Sequence, residues 1–145
     1  VPSVRNCNLP DDVYYLVEKH VWARQVLEVI EIGLTDVAQN MAKTIISVTP
    51  KKVGRKLRAE QSVATVESGK WVGPVPCPVA GVLVEINTAL VAEPGLINSD
   101  PYGAGWIARI QPDDWETDSA ALAVGAAGIA RYEQFLEQEG ISCEE

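Results

Sequence analysis

The chain has 145 residues, 47% of them hydrophobic and 22% charged, and carries a net charge of −8. That length is enough for one domain with a real core, and the acidic balance argues against a nucleic-acid surface. No apolar run approaches the roughly 18 residues of a membrane-spanning helix, so no membrane span is expected.

Residues 1–12 are polar, hold two prolines and read as an irregular lead-in. They show no signal-peptide pattern. Residues 13–21 and 23–32 are rich in Val, Tyr, Leu and Ile and read as strands, with His20-Val21-Trp22 between the two runs. Gly33-Leu34-Thr35-Asp36 breaks the second run, and Thr35 or Asp36 is placed to cap a short helix through Met41 and Ala42. Thr44-Ile45-Ile46-Ser47-Val48 reads as a strand stopped by Pro50, and residues 51–56 as a basic turn.

The centre of the chain is a hairpin. A β-branched run through Val63 and Thr65 meets a turn at Glu67-Ser68-Gly69-Lys70, and a proline-punctuated limb returns as far as Asn87. Residues 92–105 have loop composition, and Trp106-Ile107-Ala108-Arg109-Ile110 alternates as a closing strand. Residues 113–118 form an acidic linker, Ser119 to Glu139 a helix, and Gly140 is placed to end it. Gly125 and Gly128 weaken that helix and favour a break near them. Cys7, Cys77 and Cys143 are odd in number, widely spaced and form no CxxC, so neither a disulfide framework nor a zinc site is expected. A reducing cytoplasm is the default compartment.

Lys70 is the residue with chemical interest. A solvated lysine is a poor catalyst but a good anchor for an acyl group in amide linkage. A swinging cofactor needs an exposed anchor on a rigid support, and a hairpin tip supplies both.

The ordered motifs extend well beyond this turn. His20 and Trp22 are followed by Gly33-Leu34-Thr35-Asp36-Val37-Ala38-Gln39 and Ala64-Thr65-Val66-Glu67-Ser68-Gly69-Lys70. Then come Pro78-Val79-Ala80-Gly81, Val84-Glu85-Ile86-Asn87, Pro94-Gly95-Leu96-Ile97-Asn98 and Asp100-Pro101-Tyr102-Gly103-Ala104-Gly105-Trp106. Together they resemble the H-protein family of the glycine cleavage system over nearly the whole chain. The resemblance implies a mainly β lipoyl-domain fold, a barrel-sandwich hybrid of two antiparallel sheets with a short internal helix and a C-terminal helix. It implies a lead-in over 1–12, a carrier domain over 13–112, and an acidic linker with helical extension over 113–145. It makes Lys70 the lipoyl attachment point, with Glu67, Ser68, Gly69 and Trp71 around it. The protein would then be a monomeric carrier and a substrate of other enzymes, with no catalytic residues and no metal of its own. Lipoate-protein ligase would be one of its partners.

The departures from the family lie near Lys70. The family holds its aminomethyl cation with a carboxylate between the His and the Trp, and another four residues after the lysine. Val21 and Pro74 stand there. Gly69 replaces the usual Val, Trp71 adjoins the anchor and Cys77 stands on the returning limb. Trp71 is either a resting surface for a dithiolane or a packing residue. Cys77 is either an exchanging thiol or an inert small hydrophobe. His20, Val21, Pro74 and Cys77 are therefore the residues expected to face the arm. As a base His20 would need an orienting partner. A structural hydrogen bond suits it equally well.

The Glu67-Ser68-Gly69-Lys70-Trp71-Val72-Gly73-Pro74 stretch resembles more closely the lipoate-binding proteins of the sulfur-oxidising heterodisulfide-reductase-like system. That branch implies cytoplasmic transport of sulfur-bound intermediates, with the heterodisulfide-reductase-like complex and a dihydrolipoyl dehydrogenase-type enzyme as partners. A glycine-cleavage carrier and an unmodified binding domain are the alternatives. A biotin carrier expects methionines beside its lysine, and Gly69-Lys70-Trp71 does not match.

Overall fold

The structure is a computed structural model and describes residues 1–144. Its strands are β1 (Ser3–Val4), β2 (Cys7–Asn8), β3 (Tyr14–Leu16), β4 (Val21–Val26), β5 (Val29–Leu34), β6 (Ile45–Pro50), β7 (Lys56–Leu57), β8 (Ser62–Ser68), β9 (Val72–Pro76), β10 (Gly81–Ile86), β11 (Ala108–Pro112) and β12 (Ala123–Val124). Its helices are α1 (Asp36–Ala42), α2 (Ala89–Ala92), α3 (Leu96–Ser99), α4 (Trp115–Ser119) and α5 (Gly125–Glu139). A seven-stranded sheet in the order β12-β3-β4-β5-β11-β10-β7 faces a three-stranded sheet in the order β6-β8-β9. A small β1-β2 ladder stands apart, and all the pairings are antiparallel. This is the mainly β, two-sheet sandwich with an internal and a C-terminal helix expected from the sequence.

Strand alternation explains why the larger sheet is apolar on both faces. Val21 and Ala23 point into the core between the sheets, with Ile30, Ile32, Leu83 and Ile110. Trp22, between them, points the other way and joins Tyr15, Val37, Ile129, Tyr132 and Leu136 beneath α5. Gly33 lies opposite Trp22 in the ladder, and a Cβ there would come within 2.7 Å of the indole. Trp22 also donates its Nε1–H to the Pro101 carbonyl at 3.0 Å.

Several boundaries differ from those expected. The reversal after the first strands falls at Leu27 and Glu28, because residues 17–20 form a 3-10 turn and β4 runs straight through Trp22. The return limb of the hairpin is two strands in different sheets. It leaves the small sheet at Pro76 and rejoins the large one at Gly81. Residues 106–110 are not a closing edge, since β11 lies inside the large sheet between β5 and β10. The last long helix begins at Gly125, which has a positive φ of 67°. The chain before it pairs as β12 with β3. The acidic stretch is partly structural: Asp114 caps α4, and Asp118 accepts the Ala80 N–H at 2.8 Å.

The expectation of no disulfide is corrected. Cys7 and Cys143 are bonded, their Cα atoms 5.1 Å apart across 136 residues of sequence. Spacing carries no signal over that distance. The fold makes the pair by turning the chain at Gly140, where Ile141 N–H donates to the Leu136 carbonyl at 2.9 Å. The Cys143 N–H then reaches the Arg5 carbonyl at 3.0 Å, and Arg5 Nε–H donates to the Ile141 carbonyl at 2.6 Å. The bond also removes the cysteine argument for a reducing compartment. The lead-in, expected to be irregular, is thus pinned, with Cys7 and Leu9 fully buried. Among the described residues no helix is long and apolar enough to cross a membrane, and no group of three or more His, Cys, Asp or Glu is placed to hold a metal.

Cys143→Ser should lower stability by about 2–4 kcal/mol, the usual range for such a cross-link. Urea unfolding with and without reductant measures it. Amide exchange should quicken at residues 1–8 and 140–144, while the β8-β9 hairpin keeps its protection.

Candidate functional site

Lys70 sits on the three-residue turn between β8 and β9, and it is exposed. The turn is closed from both sides. Ser68 N–H donates to the Trp71 carbonyl at 2.8 Å, and Ser68 Oγ accepts the Lys70 N–H at 3.3 Å. Ser68 is only 4% exposed and is paired with Ile45 of β6, so the turn is anchored in the sheet. A short polar side chain is suited to this local bonding. Glu67 is exposed and ends the ladder opposite Val72. Gly69 has open space around its Cα and no positive φ, so the backbone itself does not require glycine. What glycine does there is leave the approach to Lys70 clear.

Trp71 is 39% exposed and folds back over Gly73. A Cβ on Gly73 would lie 2.2 Å from its ring. It therefore both packs on the sheet and presents a half-open apolar face. Pro74 and Pro76 lie on β9, an edge strand of the small sheet, where a missing N–H is tolerated.

Beside the turn lies a cleft of about 650 Å³. Lys70, Trp71 and Pro74 form one side, and Leu34, Ala38 and Met41 contribute an apolar part. Lys19, His20, Lys43, Ile141 and Glu144 complete the chemistry of its wall. The last turns of chain reach this wall because Glu144 exchanges backbone–side-chain hydrogen bonds with Asn40. Its carboxylate also pairs with the Lys43 ammonium at 2.8 Å, which holds that carboxyl below its usual range.

His20 occupies a left-handed backbone position at φ 58°, just after the 3-10 turn. Its Nδ1 lies 2.6 Å from the Tyr132 hydroxyl, which is 3.0 Å from Thr35 Oγ1. Burial lowers the imidazole pKa to about 4, only partly opposed by Glu18. The ring is therefore neutral at pH 7. The same burial raises the Tyr132 hydroxyl well above its ordinary range.

The sequence-derived residues thus separate. Lys70, Trp71, His20 and Pro74 are brought to one cleft. Val21 is not among its lining residues: it is fully buried in the inter-sheet core, paired in the ladder with Leu34, which does line the cleft. Cys77 is also taken away from the arm face. It is completely buried, and desolvation pushes its thiol up to about 12, the behaviour of an inert small hydrophobe. Sequence reasoning missed Lys19, Lys43, Met41 and Glu144. Only the α1 residues had a signal, since Ala38 and Met41 share a helix face.

The other ordered motifs serve the frame. Asn98 accepts from Ile45 N–H and donates to the Lys43 carbonyl and to Gln39 Oε1, which ties α3 to the end of α1. The Tyr102 hydroxyl accepts the Asp36 N–H and donates to the Asn8 carbonyl.

A two-sheet antiparallel sandwich with an exposed lysine at a hairpin tip defines a protein of the lipoyl-domain class. The glycine cleavage H-protein family matches residues 13–138, and the chain belongs to that family. It is 42% identical to glycine cleavage system H protein 5 of Aquifex aeolicus over 97% of this chain and 98% of the relative. It is 38% identical to H protein 2 of the same strain, over 100% of this chain and 91% of that one. The crystal structure of a glycine cleavage system H protein from Mycobacterium marinum superposes with a TM-score of 0.74 at 32% identity, covering 92% of this chain and all of that one. Proteins of this family carry lipoate covalently on a lysine and are carriers rather than catalysts.

The neutral buried imidazole has a pH signature. The unfolded chain, with a histidine pKa of 6.5, binds more protons than the folded one as pH falls from 6.5 to about 4. His20 therefore contributes stability above pH 6.5 that is lost through that window, up to about 3 kcal/mol. His20→Asn keeps a residue that tolerates a left-handed backbone and should flatten this part of the stability curve, measured by urea unfolding at pH 7, 5.5 and 4. Separately, Gly73→Ala should displace Trp71 and red-shift its fluorescence without unfolding the protein.

Proposed function

We propose that Lys70 is the lipoyl-bearing lysine and that its arm carries sulfur-bound intermediates in the cytoplasmic oxidation of reduced sulfur compounds. Family membership and the exposure of Lys70 at the tip of a hairpin support the choice of attachment residue. When bound, the lipoyl group supplies a dithiolane whose sulfurs are reduced and acylated or thiolated by partner enzymes.

The chain's own residues do the rest. Ser68 fixes the turn and Gly69 leaves it open to a lipoate-attaching enzyme. Leu34, Met41 and Trp71 offer the arm an apolar resting place.

The observation that carries the sulfur reading is the carboxylate content of the cleft. Pro74 provides none, and among the described residues Glu144 is the one carboxylate on the wall. It is already paired with Lys43. An aminomethyl cation sheltered there lacks an unengaged partner, and a desolvated charge without one is costly. Sulfur bound to the arm has no such requirement. The ordinals in the relatives' names fit a family with several copies per strain. On this reading a heterodisulfide-reductase-like complex and a dihydrolipoyl dehydrogenase-type enzyme receive the arm.

The second reading is the aminomethyl carrier of glycine cleavage. The names of the relatives and of the matched family favour it directly.

Incubation with a lipoate ligase and lipoate should add one lipoyl increment to the intact mass, and Lys70→Arg should abolish it. The lipoylated protein should then support glycine decarboxylase and aminomethyltransferase at least about tenfold less well than a glycine-cleavage H-protein, the scale expected for one missing charge-assisted contact. Rates equal to that H-protein would overturn the sulfur reading and establish the second.

A further inference from the structure

The charges on the cleft wall differ in sign from the protein as a whole. The chain is strongly acidic, at −8. Yet the ionisable side chains lining the cleft are Lys19, Lys43, Lys70, Glu144 and the neutral His20. Acylation of Lys70 in amide linkage removes its charge. Among the described residues Lys19 and Lys43 then stand against Glu144 alone, a net of one positive charge. Glu144 is engaged by Lys43 at 2.8 Å, which leaves Lys19 with no ion-pair partner among the described residues. The nearest acidic neighbour in sequence, Glu18, is turned to Arg131 at 3.0 Å. Glu67 lies on the exposed end of β8 and is not part of the wall.

His20 adds a donor. The Tyr132 hydroxyl bridges Thr35 Oγ1 and His20 Nδ1, and in the order in which Thr35 donates to Tyr132 the Tyr132 hydroxyl donates to Nδ1. That order places the imidazole proton on Nε2. No protein acceptor takes the Nε2–H among the described contacts, and the residue lines the cleft. Its pKa, lowered to about 4 by burial, keeps the ring neutral at pH 7.

We infer that Lys19 and His20 form an anion subsite, and that the cargo this cleft accepts is an arm whose terminal sulfur bears a sulfonate, –S–SO₃⁻. An ammonium and an N–H from two adjacent residues of the wall of a partly apolar cleft suit a tetrahedral oxyanion, since charge-assisted hydrogen bonds are the stronger kind. The same wall disfavours an aminomethyl ammonium by like-charge repulsion. The inference rests on lipoylation of Lys70 and narrows the sulfur reading to one chemical class of cargo.

Sulfite tests it with a balanced reaction. Its sulfur attacks one sulfur of the dithiolane and the ring S–S bond breaks. A new S–S bond to the SO₃ group forms and the second ring sulfur leaves as a thiolate. No oxidant or reductant is required. The equilibrium is read from dithiolane absorbance and from the intact mass, for the lipoylated protein and for free lipoamide. The protein should favour the sulfite adduct about tenfold over free lipoamide, an advantage that shrinks with added salt. Lys19→Gln should lose most of it, while Lys52→Gln, on the distant basic loop, should keep it. Cysteamine, which leaves a terminal ammonium by the same exchange, should gain nothing over free lipoamide. Equal adduct formation on protein and free lipoamide, no effect of Lys19→Gln, or an equal advantage for cysteamine would each overturn the subsite while leaving lipoylation intact. A failure to add the lipoyl group at all, seen in the intact mass, would overturn both.

Discussion

The fold depends on one close contact, the Trp22 indole lying flat against Gly33 on the neighbouring strand. No side chain fits between them. Because the glycine gives way, a large aromatic can sit on the outer face of the big sheet while Val21 and Ala23 fill its inner face. Trp22 thereby becomes the floor for α5 and, through Pro101, the anchor for the long loop. Tyr132 comes down onto that floor and stacks within 5.7 Å of His20. The hydrogen-bonded row from Thr35 to His20 exists because α5 is seated there. The same device recurs at the tip, where Gly73 makes room for Trp71. One tryptophan–glycine pair builds the frame and the other shapes the surface beside Lys70.

Much of this was legible in the residues. Alternating β-branched runs, the Thr35 cap, the Gly140 stop and the hairpin turn, expected at Glu67–Lys70 and closed one residue later by Ser68 and Trp71, are local features, and local features are written in neighbouring residues. The resemblance supplied the sandwich and singled out Lys70. What escaped was non-local. Nothing near Pro76 says that the chain should change sheets there, since both segments are equally β-prone. Residues 92–105 have loop composition, yet α3 lies within them, where Asn98 satisfies backbone groups of a strand and a helix end far away in sequence. The pairing of Cys7 with Cys143 needed both chain ends placed before it became visible. The cleft wall drew on a turn, a helix and the C-terminal tail, none of which had functional character alone.

The site also shows how a departure from a family pattern must be placed before it is interpreted. Val21 and Pro74 looked equivalent as lost carboxylates. In three dimensions Pro74 lies on the cleft and Val21 lies behind Leu34 in the core. The electrostatic character of the cleft is therefore set less by the two substituted positions than by Lys19, Lys43 and the tail carboxylate that holds Lys43. Cys77 illustrates the converse. Proximity in sequence to Lys70 left an exchanging thiol and an inert small hydrophobe both open, and complete burial favours the second.

The bond between the chain ends makes residues 7–143 a covalent ring. A ring can be cut once without falling into pieces. A protease that opens the exposed basic loop around Val53 leaves two ends in one molecule, with the hairpin and its lysine still joined to both sheets. Gly140, Ile141 and Ser142 of the cleft wall are held within that ring, whereas Glu144 lies one residue outside it. The part of the wall inside the ring survives a nick that would separate an open chain into fragments.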